Sequence, residues 1–154
     1  MLIYALGATA LLLAGADKAE PAPSGPTAQI NFLANPNGGR NGPETLTLYG
    51  DTRCGRDFHG KTIGRHGFFG PTKGPITIPA GARIMIAVTG PDITSFSRYA
   101  SCMTHARFTP EPGHVYDVRH TTLPGTCILD VRDHATGESA PGMVEVPGGC
   151  DKVD

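Results

Sequence analysis

Tryptophan is absent from this 154-residue chain, only six Phe and four Tyr supply aromatic rings, and 13 Lys and Arg against 14 Asp and Glu leave a formal net charge of −1. A core with so few rings has to be filled by Val, Ile and Leu. The balanced charge excludes the strong positive field of a polyanion-binding protein, so nucleic acid is not an expected partner. Helical spacing never persists beyond about ten residues, which excludes a helix bundle. Catalytic and metal-binding signatures are missing too. Ser24, Ser95, Ser97, Ser101 and Ser139 lack a Gly-x-Ser-x-Gly elbow. No Cys-x-x-Cys or paired-His spacing marks a metal centre, so neither metal nor cofactor is expected.

Charge is also missing from Met1 to Gly15, a run that closes on Ala14-Gly15-Ala16 just before Asp17-Lys18-Ala19-Glu20. An apolar run ending in small residues at alternate positions reads as an export signal over 1–16, cleaved after Ala16, although no Lys or Arg precedes it. An uncleaved N-terminal segment holding the protein at the membrane is the alternative. A span needs about 20 apolar residues and this run stops sooner, so no stable membrane span is expected after processing. All four cysteines follow the run, which suits disulfide formation in a periplasmic or secreted protein.

Residues 17–27, DKAEPAPSGPT, form an unpatterned proline-rich leader, and 28–154 has the length of a single domain. Most of the chain's 21 Gly and 14 Pro lie within it, between short runs in which apolar and polar residues alternate. Ile30 and Phe32, Leu46 and Leu48, Ile76 and Ile78, and then Ile84, Ile86 and Val88 mark half-buried strands. Thr104, Ala106 and Phe108, Tyr116 and Val118, Leu129 and Val131, and Val144 and Val146 continue the series. Met85 and Ala87 make the 84–88 run apolar on both faces, as a central strand requires. The expected fold is all-β, an antiparallel sandwich of about 7–9 short strands braced by disulfides.

The stretch Phe108-Thr109-Pro110-Glu111-Pro112-Gly113-His114-Val115-Tyr116-Asp117-Val118 resembles the proline-glycine corner and Tyr-x-Val arrangement of fibronectin type III and immunoglobulin-like domains. With the cysteine-bearing run at 125–131, it is similar to small exported β-sandwich proteins and lipoproteins of Gram-negative bacteria. The resemblance implies an immunoglobulin-like sandwich in which the Tyr116 hydroxyl bonds back to the corner. It carries over no catalytic residue. Leu13-Ala14-Gly15 is followed by Ala16 where a lipoprotein has its lipidated cysteine.

Cys102 shares strand parity with Thr104 and Ala106, and Cys127 with Leu129 and Val131, so both point inward and are expected to pair across the core. Cys54 and Cys150 lie in glycine-rich contexts that allow a second bridge. His59, His66, His105, His114, His120 and His134 are read as dispersed surface imidazoles, and Glu111, Asp117, Asp130 and Asp133 as exposed charge. One segment stands apart. Residues 53–73 read as a glycine-rich loop gathering Arg53, Arg56, Lys61 and Arg65 beside Phe68 and Phe69, suited to docking on an anionic envelope component or a protein partner. The chain is therefore expected to be a non-enzymatic envelope or periplasmic binding or accessory module. An inhibitor of an envelope-targeting hydrolase is the first alternative, and a secreted enzyme or metal carrier the second.

Overall fold

The computed structural model describes residues 24–33, 35, 43–49, 60–66, 74–91, 101–123 and 126–146. Among them are nine strands and no helix. The strands are β1 (Thr27–Leu33), β2 (Glu44–Tyr49), β3 (Gly60–His66), β4 (Ile76–Pro79), β5 (Ile84–Pro91), β6 (Ser101–Phe108), β7 (Val115–Leu123), β8 (Thr126–Asp133) and β9 (Val144–Val146). They form one sheet ordered β4-β1-β7-β8 and another ordered β3-β2-β5-β6-β9. Period-two alternation gives each sheet one apolar face. Ala28, Ile30, Tyr116, Val118, Leu129 and Val131 from the first meet Leu46, Ile84, Ile86, Val88, Ala106 and Phe108 from the second in one buried cluster.

β5 sits at the centre of the larger sheet, between β2 and β6. Its inward residues Ile84, Ile86 and Val88 are buried, and so are Met85 and Ala87 on the opposite face. A strand enclosed on both sides cannot alternate with polar residues, which accounts for its continuous apolar sequence.

Two features differ from an all-antiparallel sandwich joined by loops. β1 pairs antiparallel with β4 but parallel with β7, aligning Ile30 with Tyr116 and Phe32 with Val118. No hairpin joins β1 to β7, so local spacing leaves their relative direction open, and the shared apolar face is kept in either direction. Part of the 53–73 segment is a strand rather than a loop. β3 is fixed through its pairing with β2, where the register shifts between Leu46 and Thr47 so that Ile63 is the extra residue of a bulge.

Cys102 on β6 and Cys127 on β8 are joined by a disulfide, with Cα atoms 6.2 Å apart, so the bridge ties one sheet to the other. The expected Cys54–Cys150 pair, the export signal at 1–16 and most of the leader lie outside the described residues. At a sequence separation of 25, closing this loop removes unfolded-chain entropy equivalent to about 3 to 4 kcal/mol. Replacing both residues together, Cys102→Ala with Cys127→Ala, should lower the unfolding free energy by about 2 to 5 kcal/mol. Urea denaturation of the pair variant beside the parent checks this. An unchanged midpoint would mean that the bridge constrains nothing the packing does not already hold.

Candidate functional site

At the disulfide end the core stops being apolar. Register places His66 opposite Glu44, and Gly90 opposite Cys102. These four share the inward parity of Leu46 and Val88. His120, Thr122 and Cys127 face them from the other sheet, with Thr122 opposite Cys127. Glu44, His66, His120, Thr122 and the nearby Asn35 are all buried.

The polar atoms here are coupled. His120 Nδ1–H donates to Glu44 Oε1 at 2.7 Å, with both side chains enclosed. Asn35 Nδ2 donates to Thr122 Oγ1 at 3.2 Å, and His66 Nε2–H donates to the Phe32 carbonyl. Gly90 leaves room for the pair. A Cβ there would lie 2.9 Å from His120 Cε1 and 3.2 Å from Glu44 Oε1. Burying two polar groups costs about as much as their mutual hydrogen bond returns, so the pair adds little net stability, and its effect is to fix the imidazole ring. His120 Nε2 is buried with no hydrogen-bond partner among the described residues. One ring nitrogen of His120 and the sulfurs of Cys102 and Cys127 lie within 4.8 Å of one another.

The opposite end carries a second polar group around the corner at 109–114. Glu111 N–H donates to Tyr116 Oη at 2.9 Å, and Gly113 takes φ of +81° to turn the chain. His114 Nδ1–H donates to Asp133 Oδ2 at 2.6 Å, and His134 Nδ1–H to Asp117 Oδ2 at 3.0 Å. Asn31 Nδ2 donates to Asp117 Oδ1 at 2.8 Å. Asp133 Oδ1 accepts from Ala135 N–H and Thr136 N–H, closing the turn after β8. A shallow pocket of about 300 Å³ lies between His114, Asp133 and His134.

These contacts move the titrations. The hydrogen bond to Asp133 raises His114 above its ordinary 6.5, helped by the charges of Asp133 and Glu111. His134 rises likewise through Asp117. Asp133 falls below 3.8 chiefly through His114 and the Thr136 N–H. Burial would raise Asp117, but hydrogen bonds from Asn31 and His134 outweigh it and the net shift is downward. His105, on the outward face of β6, is lowered by burial and by the Arg107 charge.

The histidines therefore differ from dispersed surface imidazoles. Of the five described, His66, His105 and His120 are buried, while His114 and His134 are exposed but engaged with carboxylates. Asp133 is buried and Asp117 half-buried, whereas Asp130 pairs with Arg132 at the surface. Parity held a usable signal. Glu44 continues the inward series of Leu46 and Leu48, and His120 that of Tyr116 and Val118. Lys61 and Arg65 are exposed on β3, where Thr62, Ile63, Gly64 and Arg65 line a depression of about 350 Å³. Arg53, Arg56, Phe68 and Phe69 lie outside the described residues. No protein-family model, curated protein or solved structure matches the chain.

Two outcomes test the corner. Replacing Tyr116 with Phe leaves the Glu111 N–H without its acceptor and should cost about 1 kcal/mol in chemical denaturation. The ionic contacts give the second. A raised His114 contributes stability fully below 6.5 that is lost as pH rises through its folded-state value, and a lowered Asp133 contributes above 3.8 what is lost as pH falls through its own. The stability advantage of the parent over an Asp133→Asn variant should thus be largest between 3.8 and 6.5 and shrink on either side. His105 bends both profiles alike and cancels, and because the Asp133 charge also raises His134, the difference reports Asp133 with both neighbouring imidazoles. Melting temperatures across the pH range measure it, and a difference independent of pH would refute the coupling.

Proposed function

We propose that this chain is an exported, non-enzymatic binding or accessory module of the bacterial cell envelope, built as an immunoglobulin-like sandwich. The observation that carries the reading is the Cys102–Cys127 bridge between the two sheets. A disulfide that holds two sheets together persists in an oxidising compartment and is disfavoured in a reducing one. The hydrogen bond from the Glu111 N–H to Tyr116 Oη supports the immunoglobulin-like assignment, because it ties the corner backbone to the start of the following strand.

The contact surface is assigned to the β3 side of the five-stranded sheet. β3 stands at the end of the strand order, with Lys61 and Arg65 exposed on it. Positive groups on a sheet edge favour an acidic partner and steer its approach. The pocket near Tyr116 speaks for the non-enzymatic reading. Its imidazoles and carboxylates are hydrogen-bonded to each other and to turn amides, an arrangement that braces a corner.

Expression of the full chain in a Gram-negative host tests the proposal. The protein should appear in the periplasmic fraction, begin at Asp17 or within a few residues of it, and resist thiol alkylation at Cys102 and Cys127 until reduced. Recovery from the cytoplasm with Met1 intact and both thiols alkylated would overturn it.

A further inference from the structure

The bridge has a neighbour that its structural role does not require. His120 is fully buried, its Nδ1 is committed to Glu44, and its Nε2 is without a hydrogen-bond partner among the described residues. A buried ring nitrogen left without a partner is destabilising, so its position calls for a reason. Within 4.8 Å of the ring are the two sulfurs, one from each sheet. We infer that Cys102, Cys127 and His120 form a redox-gated zinc site, closed as a disulfide when oxidised and able to take Zn(II) through two thiolates and His120 Nε2 when reduced.

Geometry, charge and the Glu44 contact behind the ring agree on this. Zn–S bonds of about 2.3 Å and Zn–N bonds of about 2.0 Å put ligand atoms in a tetrahedral site roughly 3.4 to 3.8 Å apart. One ring nitrogen of His120 and the two sulfurs lie within 4.8 Å of one another, so once the bridge opens, rotation of the cysteine side chains brings both thiolates around the imidazole to share an ion with Nε2. Two thiolates neutralise a divalent ion, so no net charge is added beside the Glu44 carboxylate. Glu44 on Nδ1 supplies the carboxylate–histidine–metal relay that fixes the tautomer and strengthens Nε2 as a donor. Cys102 is only half-buried, which leaves an approach for a reductant.

The interconversion balances with a dithiol as reductant. One of its thiolates attacks Cys102 Sγ, the protein S–S bond breaks, and Cys127 leaves as a thiolate beside His120. The second reductant thiol then displaces Cys102 from the mixed disulfide, and the reductant departs as its own cyclic disulfide. Two electrons pass to the protein, Zn(II) binds both thiolates, and two protons go to solvent. This goes beyond the proposed function, since a module that binds at its β3 edge needs no such site.

The test uses the full chain carrying Cys54→Ser and Cys150→Ser, reduced with a phosphine under anaerobic conditions, with Co(II) as spectroscopic probe. One equivalent of Co(II) should produce thiolate-to-metal charge-transfer absorption that Zn(II) abolishes, and the oxidised protein should produce none. Cys102→Ser should remove the signal. Glu44→Gln, which keeps an acceptor for Nδ1–H, should weaken binding by about 10- to 100-fold. A folded reduced protein that binds no Co(II), or an oxidised protein that binds it equally, would overturn the site. Should reduction unfold the chain, one equivalent of Zn(II) must restore the near-ultraviolet circular dichroism, and failure to do so overturns the site as well. Neither result depends on where the protein resides in the cell or what its β3 edge contacts.

Discussion

Two sheets can slide past each other on an apolar interface because dispersion and burial have no preferred direction. In this molecule the Cys102–Cys127 bond removes that freedom at one end, and the corner around Tyr116 limits it at the other. The positions are complementary. Toward the corner the core is dense with Phe108, Tyr116 and Ile78, whereas at the bridge it gives way to Glu44, His120, Asn35 and Thr122. Polar residues bury little apolar area, so packing alone holds that end weakly. The covalent tie lies where the non-covalent one is poorest.

The same trade governs Gly90. A side chain there would add apolar contact to the centre of the larger sheet, but its Cβ would collide with the His120 ring. The chain gives up packing on β5 to seat a hydrogen-bonded pair whose net stabilisation is small. Such an exchange points to a role for the pair other than holding the fold together, as local rules tend to be broken at functional sites.

Much of the architecture is readable from alternation. The double-sided apolar run of β5 announces a central strand, and inward parity turns Cys102 and Cys127 toward the core in which they pair. β3 is not readable, because Gly60, Lys61, Gly64 and Arg65 around Thr62 and Ile63 leave no apolar period and little strand propensity, and its conformation is imposed by β2. The polar end is a different kind of failure. Glu44 and His120 obey the parity that places Leu46 and Val118 inside, but their residue types argue for the surface, and only pairing across 76 positions of sequence makes burial tolerable. Periodicity reports which face a residue occupies, whereas the identity of a partner in the other sheet leaves no local trace.

The parallel union of β1 and β7 bears on how this fold is reached. β1 is the first strand among the described residues and an interior strand of its sheet, seated between β4 and β7, and Gln29 finds its neighbour at Val115. A strand in that position has no complete set of partners until most of the polypeptide is present, and contacts so distant in sequence close slowly. Whenever the chain is delivered from its N-terminal end, by a ribosome or through a pore, β1 can pair with β4 on one side, but its other edge stays open until the segment around 115–119 follows. The topology thus defers full enclosure of an early strand to the arrival of a late one, and leaves that strand with an open edge for most of the chain's passage.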